Sequence, residues 1–176
     1  NNNARVHSNF GSKSIMCEIV MLGTKFDCII QNGGTNQGSL FNCRIYGANT
    51  SGSGNGNGVK CDTSTPQIIN CVIDNVHGDG ISDQSTSANR NGNFSNNTIT
   101  RCGANGIDSA GAAQTQGGVQ IENNVIFDVG GHALVANADN DDRLLGSQIA
   151  IGDATSGNFS NLDEYENCFT VTAVAT

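Results

Sequence analysis

The side chains best suited to chemistry in this 176-residue chain lie mainly between Ile69 and Asp83, in the stretch INCVIDNVHGDGISD. His77 stands there among Asp74, Asp79 and Asp83, and Asp108 follows 25 residues after Asp83. Two carboxylates can cleave a glycosidic bond, one protonating the leaving oxygen while the other attacks or activates water. Asp83 and Asp108 are the candidate pair, with His77 as a candidate general base. Asp79, Asp83 and Asp108 could instead offer calcium its hard oxygen ligands. Arg90 and Arg101 are the basic residues nearest these aspartates. The plainer alternative is that Asp beside Gly makes turns, that His77 belongs to such a turn, and that all four side chains are solvated.

The elements that must position these residues repeat. The pattern apolar-x-Asn-[Cys/Asn]-x-Ile occurs at Leu40–Ile45, Ile68–Ile73, Phe94–Ile99 and Ile121–Ile126. Its anchors Asn42, Asn70, Asn96 and Asn123 are separated by 28, 26 and 27 residues. A second block follows each anchor: Val76–Ile81, Cys102–Ile107 and Val129–Leu134, with Gly58-Val59 in the same place one repeat earlier. Weaker copies lie at Ile15–Ile19 and Phe26–Ile30.

Each block is a run of three to five residues with period-2 alternation, punctuated by Gly and Asn where positive φ is needed. Helical periodicity is absent. Three short strands and three turns in about 26 residues predict one coil of a parallel β-helix, stacked on the next at about 4.8 Å. Equal slots then become ladders. Ile45, Ile73, Ile99 and Ile126 form an aliphatic ladder in the core. Cys43, Cys71, Asn97 and Asn124 also point inward, where stacked Asn can bond to each other and to backbone. The preceding Asn column sits at a left-handed corner, which Asn tolerates. The outward columns read Arg44-Val72-Thr98-Val125, Tyr46-Asp74-Thr100-Phe127 and Lys60-Ser82-Asp108-Val135, and none is a column of acids. Neighbouring coils would hold Asp83 and Asp108 on the order of 5–10 Å apart. Either glycosidase geometry fits that separation.

The stretches INCVIDNVHGDGI, SNNTITRCGANGI and ENNVIFDVGGHAL resemble repeats of the right-handed parallel β-helix superfamily, which includes pectate-lyase-like proteins and bacteriophage tailspikes. The resemblance covers roughly residues 15–140 and implies a fold more than an activity, because its members include lyases, hydrolases, epimerases, adhesins and virion proteins. The hydrolase signatures of that superfamily are missing. Gly131-His132-Ala133 lacks a second Gly, and the acidic pair in Asn140-Asp141-Asp142 lies beyond the last clear coil. The nonapeptide calcium repeat is missing as well.

Composition narrows the classes. Net charge is −8, and the eight Lys and Arg form no cluster, so nucleic acid is not an expected partner. No apolar run is long enough to span a bilayer as a helix. Aromatic residues are 5% with no Trp, leaving Tyr46, Phe127 and Tyr165 as sugar-stacking candidates. The seven Cys are odd in number, with no CxxC, and read as buried thiols made in a reducing compartment. Four glycosylation sequons, at Asn49, Asn93, Asn96 and Asn158, are of the frequency that 25 Asn bring by chance. The chain begins at Asn1 rather than Met, as a processed form or fragment would.

The expected organisation is therefore β-helix coils over residues 1–140, clearest from 40, and a non-repeating cap or oligomerisation segment over 141–176. Ser147–Ile151 and Cys168–Val174 read as strands of that segment. The expected role is non-enzymatic, a structural or adhesive component of an extracellular assembly such as a bacteriophage tailspike, fibre or capsid-decorating protein. Such a component would be assembled in a reducing cytoplasm. The expected partners are further copies of the chain, as a trimer, or other virion subunits, with a surface polysaccharide as a candidate ligand. The alternative is a polysaccharide lyase or glycoside hydrolase, or a fragment of one. No cofactor is expected apart from the calcium alternative.

Overall fold

The computed structural model describes residues 13–15, 18–20, 29–31, 39–47, 56–62, 66–85, 92–109, 119–135, 143–151 and 165–172. These residues are all-β, with parallel strands and no helix, an arrangement compatible with the expected solenoid. The strands come in triplets. The first is β1 (Lys13–Ile15), β2 (Glu18–Val20) and β3 (Ile29–Gln31), followed by β4 (Ser39–Phe41), β5 (Arg44–Tyr46) and β6 (Val59–Cys61). Next are β7 (Gln67–Ile69), β8 (Val72–Val76) and β9 (Ile81–Asp83), then β10 (Asn93–Ser95), β11 (Thr98–Cys102) and β12 (Ile107–Asp108). The last triplet is β13 (Gln120–Glu122), β14 (Val125–Val129) and β15 (Leu134–Val135). Two longer strands follow, β16 (Arg143–Ile151) and β17 (Tyr165–Thr172).

Corresponding strands of successive triplets pair in parallel, so each triplet lies on the one before. The third strands form a five-stranded sheet in the order β15-β12-β9-β6-β3. The first and second strands form two further ladders, which β16 joins into one twelve-stranded sheet. Its Arg143–Leu145 pairs with β13, its Ile149–Ile151 with β14, and β17 pairs with β16. The segment read as departing from the repeat thus adds parallel strands to the same sheet; of its predicted strands, Ser147–Ile151 lies within β16 and Cys168–Val174 overlaps β17.

Register sets the core. Ile45 pairs with Ile73, Ile73 with Ile99 and Ile99 with Ile126. All four are buried, as are Leu40, Ile68, Phe94 and Ile121 on the first strands and Val59, Ile81, Ile107 and Leu134 on the third. Each such aliphatic side chain withdrawn from water is worth about 1.5–3 kcal/mol. With each of the three strands of a triplet contributing an inward aliphatic column, a chain of low apolar content still fills its interior.

The corners between first and second strands explain the Asn-Asn and Asn-Cys pairs. Asn42, Asn70, Asn96 and Asn123 all have φ between 52° and 56°, the left-handed region that Asn enters at little cost. The next residue turns inward. Asn97 Oδ1 accepts the Cys71 N–H at 2.9 Å, and Asn124 Oδ1 accepts the Asn97 N–H at 3.0 Å. Asn97 Nδ2 donates to Ile68 O at 2.8 Å and to Asn124 Oδ1 at 3.0 Å, while Asn124 Nδ2 donates to Phe94 O at 2.8 Å. Both side chains are almost wholly buried, so these bonds replace water that cannot enter. In the two preceding triplets Cys43 and Cys71 fill the slot. The Cys43 thiol donates to Phe41 O, and the Cys71 thiol reaches the Leu40 and Ile69 carbonyls.

Asn97→Ala removes the acceptor of the buried Cys71 N–H and a donor to the Ile68 carbonyl. It is expected to lower unfolding stability by roughly 2–4 kcal/mol in urea titrations. Asn97→Cys, which restores the residue type of the two preceding triplets, is expected to cost clearly less.

Candidate functional site

Asp74, His77, Asp79, Asp83 and Asp108 fall on β8, β9, β12 and the turn between β8 and β9. Asp74 lies in the Tyr46-Asp74-Thr100-Phe127 column of the second strands. It is buried, although the column faces outward, because Arg101 of the next triplet folds over it. Arg101 Nε donates to Asp74 Oδ1 at 2.7 Å, and the second guanidinium nitrogen meets Oδ2. This paired geometry lends the guanidinium strength and direction, and the Asp74 carboxylate pushes the Arg101 pKa up.

Arg101 reaches Asp74 through an unusual backbone. Its φ is 51°, and it belongs to a second left-handed column with Gly47 (φ 95°), Asn75 (φ 58°) and Asp128 (φ 55°). Ladder pairing skips this position: Thr100 pairs with Asp74 and Phe127, then Cys102 with Val76 and Val129. The extra residue bulges outward and turns Val76 and Cys102 into the core. Gly, Asn and Asp at three of its four positions are the residue types that signal such a column, but Arg masks it at the fourth.

Asp79 belongs to a third column of side-chain acceptors. Asn57 Oδ1 accepts the Asp79 N–H at 2.8 Å, Asp79 Oδ1 accepts the Asn105 N–H at 2.9 Å, and Asn105 Oδ1 accepts the His132 N–H at 2.9 Å. Each residue of this column precedes a small residue, Gly58, Gly80, Gly106 or Ala133. Burial raises the Asp79 pKa first of all, and the nearby Asp108 charge adds to it, against the lowering effect of the Asn105 N–H. Asn105 Nδ2 also stands 3.5 Å from Asp108 Oδ2. The carboxyls brought into electrostatic contact are therefore Asp79 and Asp108.

Asp83 and Asp108 occupy successive register slots rather than the same one. Asp108 pairs with Ser82, whereas Asp83 pairs with Cys61. Alternation then sends their side chains to opposite faces of the five-stranded sheet. Asp83 is buried beside the equally buried Cys61, and its Oδ1 accepts the Ser85 N–H at 3.0 Å, closing the turn after β9. Asp108 is half-buried on the outer side. Among the described residues no three His, Cys, Asp or Glu side chains gather into a group that could hold a metal ion, and Asp79, Asp83 and Asp108 are included in that statement.

His77 is half-buried and follows β8. It shares its slot with Gly103 and Gly130, where the backbones run close: a Cβ on Gly103 would lie 2.2 Å from His77 O. His132 instead belongs to the Asp79–Asn105 column, so the two histidines stand in different slots. Arg90 and Asn140-Asp141-Asp142 lie outside the described residues.

The Cys71 and Cys102 thiols are poor nucleophiles. Burial pushes the Cys71 and Cys102 pKa values up to about 12, with the Asp79, Asp74 and Asp128 charges adding to the effect at Cys102. Cys43, Cys61, Cys71 and Cys102 are all buried as thiols. Among the aromatic candidates for sugar stacking, Tyr46 is covered by Arg44, whose guanidinium carbon sits 4.9 Å from the ring centroid. Arg44 in turn lies 3.9 Å from Glu18. Phe127 is half-buried. No helix among the described residues is long and apolar enough to cross a membrane.

Compared with protein-family models, curated proteins and solved structures, the chain matches none.

The raised Asp79 pKa carries a sign. Between the ordinary carboxyl value and the folded one, the native state holds a proton that the unfolded chain releases, so stability falls as pH rises through that window. Asp79→Asn keeps an Oδ1 acceptor, as Asn57 and Asn105 do in the same column, and removes the charge. It is expected to stabilise the chain at pH 7 by up to about 1 kcal/mol, partial exposure screening the rest. The gain is expected to vanish below about pH 4, as checked by urea unfolding at the two pH values.

Proposed function

We propose that the chain is a right-handed parallel β-helix with about 26–28 residues per coil, matching ladder bonds that span 28, 26 and 27 residues. In this reading residues 141–176 close the stack, and the protein is a non-enzymatic structural or adhesive component of an extracellular assembly. A bacteriophage tailspike, fibre or capsid-decorating subunit fits best.

One observation carries the reading: three carboxylates of the candidate site are engaged in holding a neighbouring layer or a turn in place. Asp74 is clasped by Arg101, Asp79 receives the Asn105 N–H, and Asp83 closes the turn onto Ser85. Buried thiols suit a particle assembled in a reducing cytoplasm. Val72 is an exposed large apolar side chain, and in this reading association as a trimer or with other virion subunits uses the C-terminal segment. A surface polysaccharide would then be a ligand to adhere to, not a substrate.

A second reading has one observation in its favour. Asp79 and Asp108 interact, and Asp79 holds its proton to higher pH than an ordinary carboxyl. An acid of raised pKa beside an ionised partner is what a glycoside hydrolase uses. A polysaccharide lyase or hydrolase, or a fragment of one, is therefore the alternative, and calcium would be a cofactor only there.

The test is incubation of the full chain with acidic and neutral polysaccharides, with and without calcium. Unsaturated products and reducing ends are followed, with sedimentation equilibrium alongside. The expected outcome is a stable trimer and no turnover. Turnover that disappears in Asp79→Asn or Asp108→Asn would replace the structural reading with the enzymatic one.

A further inference from the structure

The column of Asn57, Asp79 and Asn105 has a second half. Each of these residues is followed by glycine, so three layers carry Asn-Gly, Asp-Gly and Asn-Gly at one slot. The glycine is a steric requirement. A Cβ on Gly58 would stand 2.7 Å from Gly80 O and would overlap Cγ2 of Ile73. On Gly80 and Gly106 it would stand 2.6 Å from Gly106 O and from Ala133 O, and would overlap Cγ2 of Ile99 and of Ile126. The residue before the glycine is set by its acceptor role. The stack therefore writes into each of these layers a dipeptide whose main chain readily attacks its own side chain, since glycine carries no Cβ to shield its nitrogen.

In that attack the glycine nitrogen bonds to Cγ of the preceding residue. The Cγ–N bond of Asn, or the Cγ–O bond of a protonated Asp, breaks, and the leaving group departs with the N–H proton as ammonia or water. The succinimide so formed takes up one water molecule at either carbonyl. It opens to Asp or to isoaspartate, whose main chain is one carbon longer.

Both reacting groups are occupied in the folded chain. Gly58 N–H donates to Asp79 O at 2.9 Å, while Asn57 Oδ1 accepts the N–H of the same Asp79. Gly80 N–H and Asp79 Oδ1 grip Asn105 in the same way, and Gly106 N–H and Asn105 Oδ1 grip His132, each glycine bond again being 2.9 Å. Side chain and glycine thus clasp both backbone groups of one residue in the next layer. To cyclise, the side chain must turn from that layer toward its own glycine, and the glycine N–H must leave its carbonyl. Two bonds of the clasp break before one C–N bond forms. Burial is not the common factor, because Asn57 is buried whereas Asp79 and Asn105 are half-buried.

We propose that Asn57, Asp79 and Asn105 are latent succinimide sites that the clasp holds unreactive, so that separation of the layers is recorded in the covalent chain. An isoaspartate formed in the open state lengthens the main chain where register tolerates no slip, and keeps the layers from closing again. The proposal rests on hydrogen bonds and not on the assembly role, so discovery of an activity would leave it standing.

Peptide mapping by mass spectrometry tests it on the full chain, aged in mildly alkaline buffer with and without urea. Conversion at Asn57, Asp79 and Asn105 is expected to be at least about tenfold slower in the folded chain, where only the open fraction reacts. The slowing at each site should match the hydrogen-exchange protection of the glycine N–H that follows it, measured in the same buffer. Asp79→Asn writes a third Asn-Gly pair into the column. It is expected to react no faster than Asn57 and Asn105 when folded, and as fast as they do in urea. When the aged chain is refolded, isoaspartate at these sites is expected in the fraction that stays unfolded. Comparable conversion with and without urea, or slowing unrelated to protection of the glycine N–H, would overturn the clasp. Isoaspartate recovered equally in the refolded fraction would overturn the recording of layer separation.

Discussion

Everything in this molecule hangs on parallel pairing held in one register. When Ile73 pairs with Ile45 below and Ile99 above, every neighbouring residue falls opposite the matching slot of the layers on both sides. A slip of one residue would turn the aliphatic columns outward and strand the Asn side chains against apolar surface. The register is therefore protected twice: by the apolar columns, which have no preferred partner within their own kind, and by the buried Asn97–Asn124 contact, which has only one satisfactory alignment. The polar ladder supplies the uniqueness that hydrophobic burial alone does not.

The side chains in that ladder show how little chemistry the slot demands. Its position needs an inward group of modest volume that can meet backbone polar groups. Asn does so with an amide, and Cys with a polarisable sulfur. The thiol is kept neutral by the same burial that keeps water from the amides, as its pKa of about 12 at Cys71 reflects. Three acceptor systems run through the stack: the Cys and Asn slot, the Asn57-Asp79-Asn105 column, and the exposed Asn70–Asn42 bond at 2.5 Å. Glutamine would be costlier in the corners, since the short Asn side chain can bond to its own backbone and so eases positive φ.

Which features are legible in the residues follows from this economy. Asn42, Asn70, Asn96 and Asn123 declare their corner because few residue types accept a left-handed backbone, and the Ile ladder declares itself by period. Arg101 does not, because arginine has no preference for that backbone. It is held there by Asp74, a contact between triplets that no local pattern encodes. Asp83 and Asp108 resemble a pair in sequence because 25 residues is close to one period. The difference of one residue decides the face, and it becomes visible only when Asp108 is seen opposite Ser82. Asp79 stands out in sequence for its charge, whereas its place is set by Asn57, 22 residues before it, and Asn105, 26 residues after it. The Gly that follows each of Asn57, Asp79 and Asn105 is the mark that aligns them as one column.

The parallel ladders also fix how the protein would carry a load. A pull along the stacking direction acts on the two outermost layers, whose N–H···O bonds then break in succession as a zipper opens. A pull along the strands tries to slide one layer over the next, and every bond of a ladder resists at once, together with the interlocked Ile and Gly slots. The molecule is consequently soft against peeling from its end and stiff against shear. Peeling from the C-terminal side would first part β17 from β16.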